Sequence, residues 1–225
     1  MKKTAVIGAG KMGGFMARQL PPPLEILIID PDRQAAENLA ASLGRASAAT
    51  SAAGAEAVIL AVPAGALLQA ARETVGVAAP GALIINVATS QTLPPDLRDK
   101  RPDLTFVEIK IIGNARAMDQ GAGSLMVADT HDKNLLARLA AIFPGFGGLV
   151  GGDPNLAAAV NEVCTNEAIR TGVKLRRKLA AMNVPAEWME AALESVAAGT
   201  LAAFAKNELG PFARALAERL EKEAE

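Results

Sequence analysis

The chain has 225 residues, 51% of them hydrophobic, a formal net charge of -1 and a single cysteine. That length buries one good core with room for a smaller second one, while the near-zero charge and 3% aromatic content, with no tyrosine, argue against nucleic acid as a partner. No apolar run reaches the roughly 20 residues of a spanning helix and the N-terminus lacks the apolar stretch of a secretory signal, so no membrane partner is expected; a lone cysteine without a Cys or His cluster offers neither a disulfide nor a structural metal, and a reducing cytoplasm is the natural setting.

In chain order, Ala5-Val6-Ile7 reads as a buried strand, and Gly8, Gly10 and Gly13 follow it in the G-x-G-x-x-G register. The run Lys11 to Leu20, stopped by Pro21-Pro22-Pro23, predicts a helix, and a second apolar strand, Leu24 to Ile29, ends in Asp30. This is a complete βαβ unit for a dinucleotide. The first Gly permits the turn, the second lets backbone approach a pyrophosphate, the third lets the helix pack on the strand, and the helix N-terminus faces the phosphates.

Strand and helix then keep alternating: helix Gln34 to Leu43, strand Ala57 to Val62, helix Gly65 to Val75, strand Leu83 to Val87. The strands are nearly all apolar, as in a parallel sheet covered on both faces. Past residue 88 "TSQTLPPDLRDKRPD" reads as loop and short helix, Thr105 to Ile112 as a strand, "GNARAMDQGAG" as a Gly-rich loop, and Ser124 to Ala128 as a strand. A helix Asp132 to Phe143 and a short strand near Leu149 complete the sheet domain, residues 1–152.

At Asp153-Pro154 the chain turns helical, with Asp as cap and Pro in the first turn. Apolar spacing carries one helix to Asn183 and a second from Ala186 to Lys206, and a third starts after Gly210-Pro211. The fold class is therefore α/β: a Rossmann, doubly wound, mostly parallel sheet followed by a small all-helical domain, residues 153–225. A first helix of about 29 residues, roughly 43 Å long, outreaches what its own small domain covers, so a second copy of the chain is the expected partner.

Asp30 accepts from adenosine ribose hydroxyls and repels a 2′-phosphate, which favours NAD; Arg33, one turn on, is placed to reach a phosphate, so NADP stays possible. His131, the only histidine, sits at a helix start and reads as a solvated capping-region residue. Asn161, Glu162, Thr165 and Asn166 put four polar groups within two turns of a helix expected to be largely buried, which suggests a lined cleft or a polar dimer seam. Arg170, Lys174, Arg177 and Lys178 form a basic stripe, a solvated face or an attractor for a carboxylate. With no tyrosine and so little acid and base, the inventory leans toward reducing C=N, whose protonated form already attracts hydride.

"IGAGKMGG", "AVP" at residues 61–63 and "KIIGN" at residues 110–114 resemble the pyrroline-5-carboxylate reductase family, the last with Lys110 where that family has Arg and Gly113 where it has Pro. The resemblance covers residues 1–152 well and the remainder poorly. It implies an NAD(P)-dependent oxidoreductase of proline biosynthesis acting on a small C=N (or C=O) compound, dimeric through its C-terminal helices. The cofactor would lie on Gly8, Ala9, Gly10, Lys11, Met12, Gly13, Asp30, Arg33, Ala61, Val62, Pro63, Ala88 and Asn114. In the family a Ser-Gly-Ser-Gly-Pro-Ala-like turn holds the substrate carboxylate; the matching Val163 to Ala168 keeps a hydroxyl at Thr165 without the glycines and proline. Thr165 is thus expected to orient the substrate and Lys110 to offset its charge. Two other readings are open, an enzyme like the compact deazaflavin-dependent NADP reductases and a non-catalytic dinucleotide-binding dimer.

Overall fold

The structure is a computed structural model that describes residues 2–88 and 91–224. Thr89 and Ser90, the first two residues of the loop read after the strand Leu83 to Val87, lie outside the described residues.

The chain runs β1 (Lys3–Ile7), α1 (Lys11–Gln19), β2 (Glu25–Ile29), α2 (Arg33–Leu43), β3 (Ala46–Ala48), β4 (Ala57–Leu60), α3 (Ala64–Val77), β5 (Leu83–Asn86), α4 (Asp96–Lys100), β6 (Thr105–Ile112), α5 (Ala115–Asp119), β7 (Leu125–Ala128), α6 (Lys133–Ile142) and β8 (Leu149–Gly151). Among the described residues, eight strands form one sheet in the order β3-β2-β1-β4-β5-β6-β7-β8. All pairings are parallel except β6 with β7, so the sheet is doubly wound and mostly parallel, with the order reversing between β1 and β4.

Helices cover both faces because both faces are apolar. One core joins Val6, Ile28, Ile59 and Ile109 to Phe15 and Met16 of α1 and Leu139 and Ile142 of α6. The other joins Ala5, Val58, Leu60 and Ile84 to Leu67 and Ala71 of α3 and Leu97 of α4. Alternate residues of a strand point to opposite faces, which is why neighbours such as Val58 and Ile59 serve different cores.

Three local features differ from the sequence reading. The segment read wholly as a Gly-rich loop contains α5, because Asn114 supplies a cap: its Oδ1 accepts the Ala117 N–H at 3.2 Å. The edge strand β3, unread in the sequence, is only three residues of small side chains beside β2. The helix read over 186–206 runs as α8 (Ala186–Ala191), a π-helical stretch Ala192–Ala197 and α9 (Ala198–Ala205).

The chain divides into two compact units, residues 1–162 and 163–225. The division falls inside α7 (Pro154–Ala181), rather than at its start where the sequence places the boundary. In the first unit the opening turns of α7 belong to the sheet domain: Asp153 caps them by accepting the Asn155 N–H at 2.8 Å, Ala157 is buried, and Asn161 donates to the Ile111 carbonyl at 2.7 Å. The second unit holds the rest of α7, then α8, α9 and α10 (Pro211–Ala224). None of its described side chains is buried. The expectation of a largely buried long helix is therefore corrected for the single chain: of α7 only Ala157 is buried, and Glu162, Thr165 and Asn166 are exposed, because a few short helices supply no layer thick enough to cover it.

Candidate cofactor and active site

The site begins where β1 ends. Gly8 has φ +105°, its N–H donates to the Ile29 carbonyl at 2.8 Å, and a Cβ on it would lie 2.4 Å from the Ala61 carbonyl oxygen. Gly13, inside α1, is packed so closely on this turn that a Cβ would stand 1.8 Å from the Gly8 oxygen. Gly10 differs from both: it starts α1 in extended conformation, with no side-chain cap, and a Cβ there would meet nothing within 4 Å. Two glycines are thus required by the fold, and the third opens onto space where the uncapped N–H groups of α1 attract an anion.

That space is a cleft of about 1200 Å³. Gly8, Gly10, Lys11 and Met12 line it from the first turn, Asp30 and Arg33 from the end of β2, and Ala61, Val62 and Pro63 from the end of β4. The sequence reading missed Thr50, Ser51, Gln69 and Glu73, which line the same cleft from the β3–β4 connection and α3; nothing in their local pattern distinguishes them from surface polar residues. A smaller hollow of about 160 Å³ adjoins it, bounded by Met12, Ala61, Val62, Pro63, Ala64, Val87 and Ala88. Cleft and hollow straddle the point where the strand order reverses, the place where an open α/β sheet receives a dinucleotide.

Asp30 is fixed rather than free. Its Oδ2 accepts the Ala9 N–H at 2.7 Å and its Oδ1 the Asp32 N–H at 2.9 Å. The carboxylate thereby joins the glycine turn to the end of β2, its charge standing in the cleft wall. Arg33 is exposed and donates to Glu37 at 2.7 Å one turn along its own helix, and that hydrogen bond, then the Glu37 charge, raises its pKa. The nearest basic candidate for a 2′-phosphate is thus already engaged.

The other expected residues separate. Asn114 lines neither hollow; its side chain caps α5. Lys110 is 4% exposed, its ammonium donating to the carbonyls of Ala88 and Gln91 and lying 3.8 Å from Glu108. Burial lowers its pKa, against the raising effects of Glu108 and then Asp129. Asp129 is shifted up by burial, opposed by the Glu108 N–H and by Arg98 at 3.7 Å. Thr165 is exposed in the second unit, and His131 is exposed just before α6. Asn86 and Glu108, both buried beside Lys110, were not singled out by the sequence.

The family model of the NAD binding domain of 6-phosphogluconate dehydrogenase matches residues 3–165. No curated protein is matched. Among solved structures the chain is similar to a semialdehyde dehydrogenase NAD-binding protein from Cupriavidus necator in complex with calcium and NAD, with 20% identity, TM-score 0.67, and 99% of this chain and 90% of that one covered. It is similar also to a pyrroline-5-carboxylate reductase from Coxiella burnetii, with 14% identity, TM-score 0.68 and coverages of 96% and 84%. A third is the 3-hydroxyisobutyrate dehydrogenase of Mycobacterium tuberculosis with L-serine, at 20% identity, TM-score 0.59 and coverages of 83% and 67%. At these identities the structures share the fold.

The two kinds of glycine predict opposite phenotypes. Gly10→Val is expected to keep the melting temperature of the parent within a few degrees and to lose NADH binding in calorimetry, since its side chain fills the pyrophosphate's space. Gly13→Ala is expected to lose about 1–3 kcal/mol of stability or more, through overpacking against backbone, in a denaturant titration. Normal NADH binding by Gly10→Val would place the dinucleotide elsewhere.

Proposed function

The chain belongs to the family of the NAD-binding domain of 6-phosphogluconate dehydrogenase, and from that premise we propose that it is an NAD-dependent oxidoreductase that reduces a small C=N compound, in the manner of pyrroline-5-carboxylate reductase. The observation that carries the cofactor half is the Asp30 carboxylate, held by two N–H groups in the cleft wall beside the open face of Gly10. It receives ribose hydroxyls as acceptor and repels a 2′-phosphate, which also weighs against a deazaflavin-type NADP reductase. Gly10, Lys11 and Met12, which line the cleft, would hold the pyrophosphate, and the hollow lined by Pro63 and Ala88 would take the nicotinamide.

When bound, the nicotinamide supplies or accepts hydride. The chain's own share is orientation and exclusion of water. The side chains that line the hollow, from Met12 to Ala88, carry no acid or base. Such a wall favours a substrate that arrives already protonated, as an imine does, over one that needs a proton delivered in place. We assign Thr165 the role of orienting the substrate, on the strength of its matching position in the carboxylate-holding segment of the pyrroline-5-carboxylate reductases that the sequence resembles. A cytoplasmic setting fits the unpaired Cys164.

A homodimer joined through residues 153–225 belongs to the same proposal. It is supported by the second unit's exposed apolar side chains, Ile169, Trp188, Val196, Phe204 and Phe212 among them, in a unit without a buried described residue. Light scattering at micromolar concentration is expected to give twice the 23.1 kDa chain mass; a stable monomer overturns it.

Cofactor choice is read by titration. The parent is expected to bind NADH more tightly than NADPH, and Asp30→Ser to narrow or invert that order while also loosening Ala9. Tighter NADPH binding by the parent would transfer control to Arg33.

Turnover is read by nicotinamide absorbance on a panel of cyclic imines and keto acids. Activity is expected on a cyclic imine, falling about tenfold to a hundredfold in Thr165→Ala, the ~1–3 kcal/mol of a lost orienting hydrogen bond, with NADH affinity unchanged. NADH binding without turnover on any member of the panel moves the reading to a dinucleotide-binding protein.

A further inference from the structure

Three polar side chains stand buried together at the C-terminal end of the sheet: Asn86 (0% exposed) at the end of β5, and Glu108 (5%) and Lys110 (4%) two apart on β6. Asn86 and Glu108 are register partners on adjacent parallel strands. Glu108 and Lys110, spaced i and i+2, share one face.

Nearly every hydrogen bond they make goes to the backbone that leaves β5. Asn86 Oδ1 accepts the Ala88 N–H at 2.9 Å, and its Nδ2 donates to the Gln91 carbonyl at 2.8 Å. Glu108 Oε1 accepts the Leu93 N–H at 2.7 Å, and its Oε2 accepts Asn86 Nδ2 at 2.6 Å. Lys110 Nζ donates to the Ala88 carbonyl and, at 3.3 Å, to that of Gln91, with Glu108 Oε2 3.8 Å away. Ala88 is gripped at both its N–H and its carbonyl, and with Val87 it lines the hollow that Pro63 also lines.

An ion pair in this position is costly. Burying two charges stabilises a fold less than an apolar pair of the same volume, so stability alone does not account for it. What the pair supplies is direction: charged donors and acceptors hold backbone groups more tightly and at more fixed geometry than neutral ones.

We propose that Asn86, Glu108 and Lys110 are positioning residues that set the backbone of Ala88 as the wall against which the nicotinamide ring is oriented, so that Lys110 acts through Ala88 and not on the substrate. The inference rests on the dinucleotide reading of the cleft. It makes the nicotinamide half of the cofactor sensitive to this cluster while the adenosine half, held at Gly10 and Asp30, is indifferent to it.

The test compares two ligands. ADP-ribose carries everything up to the second ribose, and NADH adds the reduced nicotinamide, whose fluorescence reports how the ring is held. In Lys110→Met, NADH affinity is expected to fall about tenfold and the fluorescence enhancement of bound NADH to be lost, with ADP-ribose affinity within about twofold of the parent. The double variant Glu108→Gln with Lys110→Met leaves no lone buried charge and is expected to fold as the parent does, yet to show the same split. Recovery of parental NADH binding and fluorescence in the double variant overturns the proposal, because the cluster would then act only through stability. Parallel loss of ADP-ribose and NADH in a folded variant overturns it too. A parent protein that binds ADP-ribose but shows no fluorescence change with NADH overturns the positioning role alone, and one that binds neither ligand overturns the dinucleotide reading and this inference with it.

Discussion

The rest of the molecule depends on how closely α1 approaches the turn after β1. The helix lies against the Gly8 carbonyl at a separation that admits hydrogen and nothing larger at residue 13. Because the approach is so short, the chain must reverse within Gly8, Ala9 and Gly10, and the helix must begin at the C-terminal edge of the sheet with its N–H groups facing outward. Gly8 is held in turn by the Ile29 carbonyl, and Ala9 by Asp30, so that β2 is tied to the same turn. One steric constraint thereby sets the position of the anion-attracting helix end, of the Asp30 carboxylate and of the cleft between them.

Much of this was legible in the sequence because short-range rules decide it. A G-x-G-x-x-G register between an apolar strand and a helix, closed by three prolines and a second strand ending in Asp, leaves one arrangement open, and the structure has it. The bounds of β6, Thr105–Ile112, were legible for the same reason, from eight consecutive residues of strand composition. The helix α5 was not, since Gly113, Gly121 and Gly123 dominate its surroundings and the single capping bond of Asn114 outweighs them. The short β3 was hidden because Ala46-Ser47-Ala48 has no β-forming side chain, and only its pairing with β2 makes it a strand.

The polar cluster was illegible for a different reason. In "TFVEIKII" Lys110 is singled out by the sequence only as a residue to offset substrate charge, and nothing in the pattern marks Glu108 or joins either to Asn86. Yet β6 is twice as long as β5, pairing with it over Thr105–Glu108 and then with β7 over Ile109–Ile112. The odd residues, Val107, Ile109 and Ile111, all enter the core under α1 and α6. On the opposite face Phe106 still meets the core under α3 and α4, but Glu108 pairs with Asn86 at the very end of β5 and Lys110 lies beyond it, where the neighbour is the backbone of Ala88, Gln91 and Leu93 and not a helix. Unpaired backbone N–H and carbonyl groups need partners once water is excluded, and charged side chains meet that need there.

The two ends of the site therefore solve one problem with opposite chemistries. At the β1–β2 end the backbone is bare: glycines clear the way, and the Asp30 side chain braces the turn. At the β5–β6 end the backbone is clothed, Ala88, which lines the hollow, being held at its N–H by Asn86 and at its carbonyl by Lys110. A pyrophosphate needs N–H groups presented to it, and an aromatic ring that passes hydride needs a flat wall that does not move. The sheet meets the first need by leaving side chains out; at the other end it buries a charge pair whose hydrogen bonds are spent on the chain itself.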